Sequence, residues 1–335
     1  MPLRAGRRRF LCLLCFLCLL CFPLCAAGPV EPLRFAVIGD SGTGDTYQYR
    51  IAEQMLAWHE RLPFSLVLML GDNIYGGLFG TGGGHQKDFE EKFDRPYAGL
   101  LARGVVFRAT LGNHDARHND GRDLIADTGR FHIAGPQGYY SFTAGERLGE
   151  TGETAPLVEF FVLNTVRLDA RNSDPEQLAW LEQVLAASRA RWRIVYGHHP
   201  LYSTGARHGS DLEVRRKIEP LLQGPDGKPR VQVVLAGHDH IYERLIPQRG
   251  IVYFVCGSSG KLRKGDARPS ALVAAAEDKL RSFMLWETTP DALRFRAINE
   301  RGEAYDCGTI RPAGEVEASA CAALGQGAGL TPSPN

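Results

Sequence analysis

Five short apolar runs in this 335-residue chain each end in a glycine followed by a side chain able to bind a metal or move a proton. Phe35-Ala-Val-Ile-Gly leads into Asp40, Leu66-Val-Leu-Met-Leu-Gly into Asp72, and Val105 to Gly112 into Asn113. Ile194-Val-Tyr-Gly leads into His198, and Val231 to Gly237 into His238-Asp-His240. A set of carboxylate, amide and imidazole groups suits hard or borderline ions such as iron, zinc or manganese rather than thiophilic ones. Two such ions about 3.5–4 Å apart can share one carboxylate, polarise phosphoryl oxygens and hold a hydroxide in line for attack. One His-x-His after a strand carries little weight, because surface histidines are common, but five strand ends of matching chemistry carry far more.

These residues need a sheet to bring them to one place. The Val-, Leu- and Ile-rich runs read as strands covered on both faces, and open α/β sheets build their sites just past the C-terminal ends of such strands. Between the runs, apolar residues recur at helical spacing from Tyr47 to Arg61 and from Phe89 to Leu101, the latter interrupted by Pro96. Asp174-Pro175 caps a helix expected to run through Ala190, and Leu212 to Leu222 reads as another. Residues 139 to 166 read as antiparallel strands around a loose connector. Strands are expected again at Ile251 to Cys256, Ser282 to Thr288, Leu293 to Ile298 and Ala304 to Ile310. The expected fold is α/β, one domain of two packed mixed β-sheets with helices on the outer faces.

Composition fits that reading, with 44% hydrophobic and 23% charged residues allowing one large core or two modest ones. The first 27 residues differ: Arg4, Arg7, Arg8 and Arg9 precede an apolar run from Phe10 to Leu24 and a small-residue exit at Ala26-Ala27. That order is a secretory signal peptide, and the run is short for a membrane span. Cleavage after Ala27 would remove four arginines and no acid, taking the formal charge from +1 to −3. No basic stripe remains to hold nucleic acid. Cleavage also leaves three cysteines of eight, Cys256, Cys307 and Cys321, without a Cys-x-x-Cys pair for zinc. Cys307 and Cys321 can pair across a short loop, with Cys256 left as a buried thiol. The expected organisation is a signal peptide over 1–27, a catalytic domain over 28–311 and a low-complexity, disordered tail over 312–335.

Gly39-Asp40-Ser41-Gly42, Gly71-Asp72-Asn73-Ile74-Tyr75, Gly112-Asn113-His114-Asp115, Val195-Tyr196-Gly197-His198 and Gly237-His238-Asp239-His240 occur in that order over about 200 residues. Together they resemble the five signature blocks of purple acid phosphatases, within the calcineurin-like metallophosphoesterases. Gln177-Leu178-Ala179-Trp180-Leu181 and Ala206-Arg207-His208-Gly209 are similar to the single-domain, tartrate-resistant branch. Gly42 stands where the wider superfamily usually carries a histidine ligand, and Tyr75 is a residue that wider group lacks. The resemblance implies a four-layer α-β-β-α sandwich. It also implies that Asp40, Asp72, Tyr75 and His240 hold a first metal, Fe(III). Asp72, Asn113, His198 and His238 would hold a second, divalent ion (Fe, Zn or Mn), which makes Asp72 the bridge.

Two further histidines fall in matching blocks, and the resemblance implies that His114, after the ligand Asn113, projects toward the substrate and that His208 stands beside the metal ligands without binding a metal. A positioned proton donor to a leaving alkoxide is typically worth about 10²–10⁴ in rate. His199 follows a ligand where the mammalian branch has an aromatic residue, and is expected to line the substrate cleft. His59, His85, His118 and His132 match no block and read as structural or solvent-exposed. The expected function is an exported, monomeric dinuclear metallohydrolase that cleaves small phosphate monoesters, secreted, periplasmic or extracellular, with no stable membrane insertion. Phosphodiester cleavage on the same centre, and a non-catalytic or redox-active iron protein, are the alternatives. Substrate choice is expected to lie in rim loops such as Gly76 to Gly84 and Gly145 to Pro156.

Overall fold

The computed structural model describes residues 32–76, 84–117, 119–148, 152–170 and 172–321. The expected signal peptide and all but the ends of the Gly-rich loop 76–84 lie outside the described residues, as does His118. The chain begins with β1 (Leu33–Ile38), α1 (Thr46–Arg61), β2 (Leu66–Met69), α2 (Gly84–Phe89), α3 (Ala98–Leu101) and β3 (Val106–Ala109). There follow α4 (Asn113–Ala116), α5 (Arg122–Ala126), β4 (Tyr140–Leu148), β5 (Thr154–Val162), α6 (Pro175–Ala187), β6 (Trp192–Tyr196) and α7 (Leu212–Ile218). The last third is β7 (Val233–Ala236), β8 (Tyr242–Leu245), β9 (Val252–Cys256), β10 (Val273–Glu277), β11 (Ser282–Thr289), β12 (Ala292–Asn299), β13 (Ala304–Ile310) and β14 (Val316–Ala318).

Two seven-stranded sheets form, ordered β14-β13-β12-β11-β1-β2-β3 and β10-β8-β9-β7-β6-β5-β4. Both are mixed, as expected. In the first, β1, β2 and β3 run parallel, and in the second β5, β6, β7 and β9 do. Alternation along the strands separates two hydrophobic layers. Phe160, Val162, Ile194, Tyr196, Val233 and Leu235 face the first sheet, whereas Phe161, Val195 and Val234 face α6 and α7 through Leu181, Leu185, Val214 and Ile218. Aromatic rings lock the sheets together: Phe35 of β1 meets Phe160 of β5 edge-on at 5.2 Å, and Trp286 of β11 meets Phe254 of β9 at 5.3 Å. A buried ion pair does the same, Arg244 of β8 giving two hydrogen bonds of 2.8 and 2.9 Å to Asp306 of β13.

The helices start where capping chemistry says they should. Asp45, Asp174 and Asp211 accept backbone N–H bonds at the starts of α1, α6 and α7. α1 ends at Arg61 as expected, but α6 and α7 are shorter than expected. α6 stops at Ala187, and α7 stops at Ile218 because Pro220 carries the chain into a 3-10 turn over Glu219–Leu222. The helix expected from Phe89 to Leu101 is broken: a π-helical turn over Glu90–Asp94 follows α2, and α3 restarts only after Pro96. No helix among the described residues is long and apolar enough to cross a membrane.

Two expectations are corrected by the topology. Of the segment Gly145 to Pro156, residues 145–148 and 154–156 are the far, paired ends of β4 and β5, the described part of the hairpin tip. Because β5 runs parallel to β6, with Val162 opposite Tyr196, that tip lies at the far end of the sheet from the strand ends that carry the site. About eight residues at roughly 3.3 Å each separate the two ends, so this is no substrate rim. Residues 312–321 are not a structureless tail either. Gly314 sits at φ +86° in a turn closed by its N–H to Arg311 at 2.8 Å, and β14 then pairs with β13. Cys307 and Cys321 form a disulfide, while Cys256 is a buried thiol. Closing a loop of this length contributes about 3 kcal/mol in the chain-entropy account. Cys321→Ser is accordingly expected to lower the melting temperature by roughly 6–12 °C at about 2–4 °C per kcal/mol. Calorimetry and non-reducing peptide mapping read the outcome, and free Cys307 and Cys321 in wild-type protein produced in an oxidising compartment would contradict it.

Candidate metal centre

β1, β2 and β3 of one sheet and β6 and β7 of the other end side by side. Within a few residues of those ends stand Asp40, Asp72, Asn113, His198, His238 and His240. Three of these turns are bent hard: Asp40, Asp72 and His238 lie at φ 53°, 52° and 71°, in the left-handed region that non-glycine residues seldom occupy. Such strain persists only where the surroundings over-determine it. At Asp72 they do, since a Cβ on Gly112 would come within 2.2 Å of the Asp72 backbone and carboxylate. That glycine lets α4 and the β2 turn touch.

Two clusters of electron-pair donors result. In the first, the Tyr75 hydroxyl is 3.1 Å from Asp40 Oδ1 and 3.3 Å from His240 Nε2, and His240 Nε2 is 3.4 Å from Asp40 Oδ1. In the second, His198 Nε2 lies 3.1 Å from Asn113 Oδ1, 3.1 Å from His238 Nδ1 and 3.5 Å from Asp72 Oδ1. His198 Nδ1 is 2.9 Å from the Leu70 carbonyl, which can only accept, so Nδ1 carries the proton and Nε2 offers a lone pair. That lone pair faces a carbonyl-type oxygen and a carboxylate, an unfavourable arrangement in the absence of a positive charge between them. A cation turns the same geometry into coordination, and the backbone bond at Nδ1 is the usual outer support of a ligating imidazole. The donor set therefore fits a metal.

Charge balance points the same way. Asp40 is fully buried, and burial raises its carboxyl pKa well above the ordinary range, with His198 opposing. Burial also acts to raise the Asp72 pKa, but His198, His114 and a backbone N–H outweigh it and the net shift is downward. Burial followed by Asp40 and Asp72 pushes the Tyr75 phenol far above 10. Burial, and then neighbouring imidazoles, hold His238 far below its ordinary value, while burial and Arg263 bring His240 down to about 4. Held below their ordinary pKa, His238 and His240 offer lone pairs beside the buried carboxylates.

All ten residues singled out in the sequence come together. His114 lies on the Tyr75 side, with Nε2 4.0 Å from Asp72 Oδ2 and its ring 4.6 Å from the Tyr75 ring. His208 and His199 lie on the other side, their rings 4.2 and 4.5 Å from that of His238. His59 and His132 are away from the centre, His59 packing edge-on against Phe64 and His132 meeting the Arg130 carbonyl. Burial, then His198, takes His199 down to about 3.

Supporting residues went unrecognised in the sequence. Asp115 is buried and accepts from Gly112 N at 2.8 Å, Asn73 N at 3.2 Å, Asn73 Nδ2 at 2.8 Å and Ile74 N at 3.0 Å. It thus ties the turn that carries Tyr75 to the helix that carries Asn113. Burial and Asp72 push its carboxyl to about 8, against four N–H groups that favour the charged form. Asp239, between the two histidines of the last block, accepts from Ser203 Oγ at 2.6 Å and Gly209 N at 3.0 Å, which pins the loop bearing His208. Lys261 places its ammonium 4.7 Å from the Tyr75 ring centroid. Asp115 and Asp239 stand inside two of the five blocks, where sequence reasoning assigned them no role; for Lys261 there was no signal.

Residues 33–242 match the model of the calcineurin-like phosphoesterase family. Among curated proteins, the chain is 26% identical over 304 residues to tartrate-resistant acid phosphatase type 5 of Sus scrofa, covering 82% of this chain and 86% of that protein. It is 30% identical over 248 residues to purple acid phosphatase 17 of Arabidopsis thaliana, covering 70% of each. Among solved structures it superposes on a purple acid phosphatase from yellow lupin (Lupinus luteus) seeds at a TM-score of 0.65 and 16% identity, over 84% of this chain and 54% of that one. It also superposes on GAP50, described as the anchor in the inner membrane complex of Plasmodium, at 0.69 and 18%, over 84% and 89%.

Proposed function

The chain belongs to the calcineurin-like phosphoesterase family, and we propose from that premise that it is an exported phosphatase hydrolysing small phosphate monoesters on a two-metal centre. The observation that carries the reading is the pair of donor clusters meeting at Asp72. Asp40, Asp72, Tyr75 and His240 would hold an Fe(III) ion, and Asp72, Asn113, His198 and His238 a divalent ion (Fe, Zn or Mn). The hard oxygen-rich first set and the nitrogen-richer second set support that division. When bound, the ions would polarise the phosphoryl oxygens and activate the attacking water. Export rests on the basic-then-apolar order of residues 1–27.

The remaining residues would handle the substrate. His114, its ring 4.6 Å from that of Tyr75, and His208, its ring 4.2 Å from that of His238, would give a proton to the departing alkoxide, and His199, beside His238, would line the cleft. Lys261 adds positive charge on the Tyr75 side, which favours a dianionic monoester over a monoanionic diester. Turnover of a panel of mono- and diesters by purified protein, with metal analysis, tests the substrate class; a clear preference for diesters would overturn it. The same preparation tests the donors. His114→Ala or His208→Ala is expected to cut turnover of alkyl phosphates by about 10²–10⁴ and of activated aryl phosphates much less, with about two metals per chain retained. Equal losses on both substrate types would assign the two histidines to binding or folding instead.

A further inference from the structure

The two consecutive histidines His198 and His199 are held by opposite hydrogen-bond logic, and this assigns them different jobs. His198 gives its Nδ1 proton to the Leu70 carbonyl at 2.9 Å, leaving Nε2 as a lone-pair donor. His199 instead meets a hydroxyl, with Nδ1 2.9 Å from Thr165 Oγ1. A hydroxyl has two lone pairs and one hydrogen. Both lone pairs of Thr165 Oγ1 are occupied, since it accepts the backbone N–H of His198 at 3.2 Å and that of His199 at 3.0 Å. Thr165 is buried at 1% exposure, and a buried hydroxyl hydrogen needs an acceptor. The acceptor it has is His199 Nδ1, so the neutral ring carries its own hydrogen on Nε2.

That Nε2–H finds no protein acceptor among the described residues, although the ring lies 4.5 Å from the His238 ring and 5.1 Å from the His198 ring. One nitrogen each from His198, His199 and His238 lie within 4.8 Å of one another, a spacing compatible with a three-histidine metal site. The tautomer excludes His199 from it: a ligating nitrogen must present a lone pair, and here one nitrogen is bonded to Thr165 and the other carries hydrogen. We propose that Thr165 is a positioning residue that locks His199 as a neutral Nε2–H donor, and that His199 binds an oxygen of a tetrahedral oxyanion rather than a metal. The inference rests on the phosphatase reading for the identity of that oxyanion as a phosphoryl group, but not for the tautomer.

The experiment joins a structural readout to a binding one. Nitrogen-resolved NMR of ring-labelled histidine near neutral pH, in protein without added metal and with zinc, reads the tautomer directly. The Nε2–H form of His199 is expected in wild type and Thr165→Ser, and a mixture of tautomers in Thr165→Val. Calorimetric binding of inorganic phosphate to the metal-loaded protein is the second readout. A charge-assisted hydrogen bond is worth about 1.5–3 kcal/mol, so affinity is expected to fall about 10–100-fold in His199→Phe and Thr165→Val. His199→Gln, which keeps an N–H donor, and Thr165→Ser are expected to stay within about 3-fold of wild type, with metal content unchanged throughout. An Nδ1–H tautomer in wild type, or loss of one metal in His199→Phe, overturns the proposal. If the tautomer is as stated but wild type binds no phosphate, the oxyanion assignment and the phosphatase reading fall together while the Thr165 lock stands.

Discussion

Asp72→Ala is expected to lose both metals or their spacing and to lower phosphate-ester hydrolysis by at least about 10⁴-fold, or about 5.4 kcal/mol at about 1.36 kcal/mol per decade. Asp72 is 1% exposed, lies 3.5 Å from His198 Nε2 of the second cluster, and has a carboxylate oxygen within 4.8 Å of one of Asp40 in the first. Its Oδ1 also accepts the His114 backbone N–H at 2.8 Å. The carboxylate thereby holds the turn after β2 against the first residues of α4. Removing it takes away the shared negative charge and leaves a part-buried N–H without its acceptor. Asp72→Asn separates the two effects, because an amide oxygen can still accept from His114 but brings no charge to a bridge. Metal analysis, circular dichroism and turnover on the same preparations give the answer. Two metals per chain with substantial turnover in Asp72→Ala would rule out a centre bridged by this residue.

What was legible in the sequence is what short-range chemistry encodes. The strand ends could be read because each is an apolar run closed by glycine and a polar residue, and the start of α6 because Asp174-Pro175 caps it. What escaped depends on partners far along the chain. β8 looks too polar for a buried strand until Arg244 and Tyr242 meet Asp306, more than sixty residues later. Thr165 is an ordinary threonine in a 3-10 turn until β5 and β6, lying side by side, bring its hydroxyl beneath two consecutive backbone N–H groups. The hairpin tip at Gly145 to Pro156 read as a loop near the site because composition says nothing about which end of a strand a loop joins. Residues 312–321 read as a tail because three residues of β14 give no periodicity, although their pairing and a disulfide fix them.

Tyr75→Phe is expected to abolish the visible absorption of the iron-loaded protein and to weaken retention of the first metal, while the ion at Asn113, His198 and His238 is kept. The geometry gives the reason. A Cβ at Gly42 would lie 1.8 Å from the Asn73 carbonyl oxygen, so no side chain fits there. The Gly42 backbone instead pairs with the turn that carries Tyr75, its N–H donating to the Asp72 carbonyl at 3.3 Å and its own carbonyl accepting the Tyr75 N–H at 2.9 Å. The absence of a side chain at 42 and the arrival of a phenol at the first donor cluster are one structural exchange: the space a histidine would need is the space the Tyr75 turn occupies. Burial and the two carboxylates push the phenol's pKa far up. A cation bound at the oxygen would favour the deprotonated phenolate, a trivalent ion such as Fe(III) more than a divalent one. Phenylalanine keeps the ring against His114 and removes only the oxygen, so colour and first-metal content isolate that atom. A protein colourless after oxidation yet active with manganese or zinc would keep the hydrolase and remove the iron. An absorption band that survives Tyr75→Phe would remove Tyr75 from the ligand set.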